Sequence, residues 1–208
     1  MSMLAALLLS ALVLQPPTVD VQKEFEEGAH ERVVAAATGS ADPATVYLAG
    51  LSLLELDRIP EARERFEQLA ARPHDDAWHF VGVSALHLTS AVPDGGAADG
   101  PVEPDADVAE TAARAAAAFD DAPALAHYQL GLALGRQQDY EAAAAAFEDV
   151  IARTPAFAYA HYYAGLSYYQ VDRTDRMAAA FETFLELAPE APERGRVESV
   201  LRTLRGRR

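Results

Sequence analysis

Apolar residues recur at helical spacing along most of the chain. Leu130 and Leu134 mark one such face, and Ala143, Phe147, Val150 and Ile151 mark the next. Steps of three and four residues are the signature of amphipathic helices. Pro155 and Pro189 close two of these stretches, because proline lacks a backbone donor and clashes with the preceding turn. The pattern also copies itself. His127-Tyr128-Gln129-Leu130-Gly131 returns as His161-Tyr162-Tyr163-Ala164-Gly165, Phe147-Glu148 as Phe181-Glu182, and Pro155 as Pro189, each after 34 residues.

This period resembles the tetratricopeptide repeat, a helix–turn–helix unit that stacks on its neighbours to bury a shared core. The family pattern W-x2-L-G-x2-Y, then A-x3-F, then P falls on His127, Leu130, Gly131, Leu134, Ala143, Phe147 and Pro155. It falls again on His161, Ala164, Gly165, Tyr168, Met177, Phe181 and Pro189. An earlier unit keeps Val46, Ala49, Gly50, Leu53, Ala62 and Phe66, with Pro73 one place early. Another opens with Trp78, Val81, Gly82 and Ala85; its second helix is displaced by an insertion and resumes near Asp107, with Ala109 and Ala113 at the A and F positions. Val19 to Ala37 reads as a worn first unit. Glu193 to Leu204 reads as one amphipathic helix, where a solenoid needs a solvating cap. The resemblance covers roughly residues 18–190. It implies an all-α, right-handed α-solenoid of stacked helix–turn–helix repeats with a C-terminal capping helix. The expected divisions are 1–17, a signal peptide or apolar helix; 18–190, the solenoid with an insertion loop at 89–107; and 191–208, a basic capping helix and tail. Gly50, Gly82, Gly131 and Gly165 sit at one register inside helices. Glycine costs a helix roughly 0.5–1 kcal/mol relative to alanine, so a close approach of the partner helix is expected at each.

The resemblance also says which positions face the concave side, where the family receives extended or helical peptides. Counting the glycine as position eight, position five is Tyr47, His79, Tyr128 and Tyr162, and position nine is Leu51, Val83, Leu132 and Leu166. Tyr159 at position two and Tyr169 at position twelve complete the expected peptide-binding groove. Tyrosine offers broad, stiff contact area with a polar tip. The same residues are equally compatible with packing between neighbouring helices. Members of the family that hold a peptide's terminal carboxylates use Lys, Asn and Arg on this surface, whereas this chain has Tyr, His, Leu and Val. That argues against acidic peptide tails and for an apolar or basic partner.

Composition narrows the remaining choices. Alanine supplies 45 of the 208 residues, which suits close contacts between stacked helices. The absence of Cys removes disulfides, thiolate metal sites and cysteine nucleophiles. The net charge is −15, which argues against binding a nucleic-acid backbone. That charge is uneven. From Glu190 onward six Arg face three Glu, giving +3, against −18 for the rest. The basic tail suits the C-terminal end of a cap helix, or a contact with anionic lipid or with another copy's acidic body. The insertion carries Asp94, Asp99, Glu103, Asp105 and Asp107, yet lacks the D-x-D-x-D-G…E spacing of a calcium loop, and reads as a solvated connection. The six His form no H-E-x-x-H, and neither a G-x-S-x-G nor a phosphate loop is present. The expectation is therefore a non-enzyme without metal or cofactor.

Residues 3–14 form a continuous apolar run, broken by Gln15-Pro16-Pro17. Twelve helical residues rise about 18 Å, short of a ~30 Å hydrocarbon core. The length suits the apolar region of an export signal, although no Lys or Arg precedes it and no A-x-A site follows. The alternative is a short helix packed on the first repeat. Export predicts a periplasmic or secreted protein, and the packed-helix reading a cytoplasmic one. Together these features predict a protein–protein interaction scaffold of the cell envelope. The alternative is a structural protein that forms homo-oligomers through the same helices.

Overall fold

A computed structural model describes residues 20–89 and 105–206. The apolar run at 3–14 and most of the insertion at 89–107 lie outside these residues. Among the described residues eleven helices and no strand are present. They are α1 Val21–Glu26, α2 His30–Ala36, α3 Pro43–Glu55, α4 Ile59–Ala70, α5 Ala77–Leu88, α6 Ala106–Ala117, α7 Ala124–Arg136, α8 Tyr140–Arg153, α9 Ala158–Gln170, α10 Thr174–Leu187 and α11 Arg194–Arg205. Each packs on its predecessor in chain order, which makes an all-α solenoid of five helical pairs closed by α11. The inner helix of each pair is the odd-numbered one.

Aspartate starts many of these helices. Asp20, Asp42, Asp76, Asp105 and Asp139 each accept a hydrogen bond from a backbone N–H of the first turn. An aspartate there satisfies an orphan donor and complements the helix dipole. Part of the acidic balance is thus local helix chemistry. The turns inside three pairs share a left-handed residue, Asp57, Gln138 and Asp172, each seven places after the register glycine.

The glycines explain the stacking. A methyl group on Gly131 would lie 2.6 Å from the Phe147 ring. The Phe66 ring occupies the same place beside Gly50, and Phe181 beside Gly165. In these three units the inner helix rests directly on the phenylalanine of its own outer helix. Gly82 differs in what it meets. There a methyl group would meet the backbone of α4 instead, 2.5 Å from the Ala70 nitrogen. Phe147 is buried and held by Tyr128 and Tyr163, so it has little room to yield. Overpacking of this kind costs about 1–3 kcal/mol. Gly131→Leu is expected to lower the melting temperature by about 5 °C, read by circular dichroism; an unchanged melt contradicts the close approach.

The cap helix is amphipathic, as its sequence reads. Val197 and Leu201 are buried, and Arg202 and Arg205 lie in its last turn, with Arg205 2.8 Å from Glu182 of α10. No helix among the described residues is long and apolar enough to cross a membrane.

Candidate functional site

The inner helices α3, α5, α7 and α9 converge more tightly than an open groove requires. The Tyr47 hydroxyl on α3 donates to Gln129 Oε1 on α7 at 2.6 Å, and Gln129 Nε2 donates to Ser84 Oγ on α5 at 2.9 Å. All three residues are buried. The chain of bonds ties three inner helices together across the concave side, and each member satisfies a group that is costly to bury alone.

Convergence buries the aromatic ladder. Tyr47 is 0% exposed and Tyr128 1%, with Tyr159, Tyr162 and His79 also buried. This corrects the expectation of exposed rings on a recognition surface. Tyr128 packs on Phe147 and Phe157, and Tyr162 packs on Phe181 and Phe184. Burial raises the pKa of both phenols, which favours the neutral forms. Tyr169 is the opposite case, at 60% exposed. The position-nine residues Leu51, Val83, Leu132 and Leu166 are half-buried.

Three of these aliphatics meet. Leu51, Leu132 and Leu166 line one cavity of about 570 Å³ at the C-terminal ends of the inner helices. Its volume falls in the range of ligand pockets. Tyr128 and Phe147 form part of its wall, as do Leu54, Tyr163 and Phe25. Val83, His79, Tyr47, Tyr159, Tyr162 and Tyr169 are not among its lining residues. Glu55 on α3, Arg136 on α7 and Gln170 on α9 also line it, and all three are exposed. Sequence reading missed this trio. The signal existed, because each occupies position thirteen of its unit, five residues after the glycine. Phe25 left no comparable trace; it reaches the cavity because α1 lies against α9, from the other end of the solenoid.

His79 and His127 are the buried histidines. His79 lies against His74 with ring centres 4.1 Å apart and planes tilted by 50°, and its Nδ1 lies 2.7 Å from the Ala70 carbonyl. Burial lowers the pKa of His127. Among the described residues no group of three or more His, Asp or Glu is placed to hold a metal ion.

No curated protein matches the sequence. Solved structures do resemble the fold. TTC0263, described as a thermophilic TPR protein of Thermus thermophilus, is 20% identical with a TM-score of 0.57, over 85% of this chain and 90% of that one. A crystal structure of MamA shares 20% identity over 79% of this chain and 88% of that one, with a TM-score of 0.48. YrrB, described as a TPR protein with an unusual peptide-binding site, shares 17% identity over 82% of this chain and 84% of that one, also with a TM-score of 0.48. The tetratricopeptide repeat sequence profile matches residues 47–94 and 128–193, more than half of the chain. With that match, the 34-residue period and the stacked helical pairs, the chain belongs to the tetratricopeptide repeat family.

Proposed function

We propose that this protein is a non-catalytic interaction scaffold that takes an apolar segment of a protein partner into the cavity between its inner helices. One observation carries the reading: Leu51, Leu132 and Leu166, from three different pairs, converge on a single apolar-walled space. Concave, mostly apolar sites with a few polar groups at the edge are where proteins hold side chains and ligands. Glu55 and the −15 net charge favour an apolar segment with basic flanks over an acidic one. Tyr128, buried and packed on Phe147, acts as a rigid part of the cavity wall. The apolar run at residues 3–14 supports placement in the cell envelope, and that run lies outside the described residues.

Affinity capture on the immobilised full chain tests the reading. Charge attraction between exposed groups is screened by salt, whereas apolar insertion is not. The expected result is a partner that stays bound through a wash at about 1 M salt, where the Debye length is only ~3 Å. Complete release in that wash would assign recognition to the acidic surface. Recovery of the chain itself as the sole partner would assign it to self-assembly.

A further inference from the structure

Two residues of the cavity run against the local rules of helix stability. Gly135 is the first. The inner helices carry Gly50, Gly82, Gly131, Gly135 and Gly165. A methyl group on Gly50, Gly82, Gly131 or Gly165 would find its nearest neighbour at 2.3–2.6 Å. On Gly135 it would meet nothing within 4 Å. Packing therefore does not ask for a glycine there, although glycine weakens a helix relative to alanine. The same register position, twelve, holds Leu54 on α3, Leu86 on α5 and Tyr169 on α9. Gly135 lines the cavity one helical turn beyond Gly131, beside Leu132. The missing side chain is thus room in the cavity.

Glu55 is the second. It is the last residue of α3, at the end of a helix whose dipole favours a cation. Arg136, in the last turn of α7, follows that rule; Glu55 opposes it. Among the described residues Glu55 forms no ion pair, and the cation next along the chain, Arg58, is taken by Glu31 and Glu61. Glu55 stands exposed at the cavity edge. Local rules are broken where function requires it, and one ligand would offset both departures.

We propose that the cavity selects a partner segment carrying one bulky apolar residue with a Lys or Arg close to it: the apolar side chain seats beside Gly135, and the cation meets Glu55. The proposal rests on the cavity being the binding site, and it names the side chains that the site selects. Gly135 sets the size of the anchor. Leu132, Leu166 and Phe147 stand in the same lining and give it apolar contact. Glu55 sets the sign of the flank. Arg136, also at the cavity, repels a cation and so directs it to the α3 side. An exposed pair contributes little and is screened by salt, so Glu55 chooses among apolar segments rather than holding them.

Stability provides the first arm of the test, without any ligand. Gly135→Ala is expected to raise the melting temperature by about 2 °C, because the helix gains and nothing is crowded. Glu55→Gln should leave it unchanged or raise it by about 1 °C. A lower melt in either variant gives that residue a structural role and overturns the proposal. Binding provides the second arm. The probes are dye-labelled peptides on one alanine-based frame, each with a single Leu, Phe or Trp and a Lys within four residues of it. Control peptides replace the apolar residue by Ala, or the Lys by Gln. Fluorescence anisotropy at low salt reads their affinity for the full chain. An apolar–Lys peptide is expected to bind, and to weaken about 10-fold against Gly135→Leu. Against Glu55→Gln it should weaken about 3-fold, while its Gln control is unchanged. Circular dichroism checks that each variant keeps its helices. Absence of binding by every peptide overturns the proposal. Binding that is lost in Leu132→Arg but untouched in Gly135→Leu and Glu55→Gln keeps the cavity as the site and overturns the roles of these two residues. Binding equal in all three variants places recognition outside the cavity and overturns both readings.

Discussion

Tyr128→Ala is expected to cost roughly 3–5 kcal/mol of stability, the range for emptying a buried aromatic site. For a chain of this length that lowers the melting temperature by on the order of 10 °C. Tyr128 is 1% exposed and packs on Phe147, Phe157 and Tyr163 at 5.0–5.8 Å between ring centres. Its removal leaves Phe147 without the support that keeps α7 resting on α8. A ring on an open recognition surface would behave differently, since surface substitutions usually change stability by less than about 0.5 kcal/mol. Tyr128→Phe, which keeps the ring, should cost only about 1 kcal/mol. Thermal melts of the two variants beside the parent separate the accounts. A Tyr128→Ala protein that melts with the parent contradicts the burial of the ladder.

The helices were legible because repeat proteins are built from local signals. The glycine at position eight and the phenylalanine sixteen residues later both recur, and the structure pairs them as Gly131 with Phe147 and Gly165 with Phe181. Of the position-nine aliphatics, Leu51, Leu132 and Leu166 meet in one cavity, and Val83 is not in its lining. What periodicity does not record is how far the solenoid winds shut. That depends on contacts such as Tyr47 with Gln129 and Glu26 with Ala158, 82 and 132 residues apart. Neither belongs to the repeat pattern, because Gln129 has no counterpart at Tyr163 and Glu26 sits in the most worn unit. The position-five tyrosines are buried, and Tyr128 among them lines the cavity. Position thirteen shows the reverse failure. Its three residues, Glu55, Arg136 and Gln170, share a register but not a chemistry, so a search for repeated residue types passes over them.

The second large effect concerns recognition. Leu132 lines the cavity between Leu51 and Leu166 and is only half-buried, so its side chain serves the cavity more than the core. Leu132→Arg puts a charge and a longer chain into an apolar space that an arriving side chain needs. An inserted charge must be desolvated when an apolar side chain arrives, a cost that the exposed Glu55 at the cavity edge offsets only in part. Loss of a central contact of this kind costs about 2 kcal/mol or more, roughly 30-fold in affinity. The helices should persist, because Leu132 is only half-buried and the Gly131–Phe147 contact is left in place. The most direct test is titration calorimetry of the salt-resistant partner against the full chain and its Leu132→Arg variant, with circular dichroism to confirm folding. The account predicts at least a roughly 30-fold loss of affinity with helicity unchanged. Equal affinity in a folded Leu132→Arg protein would place recognition elsewhere and contradict it.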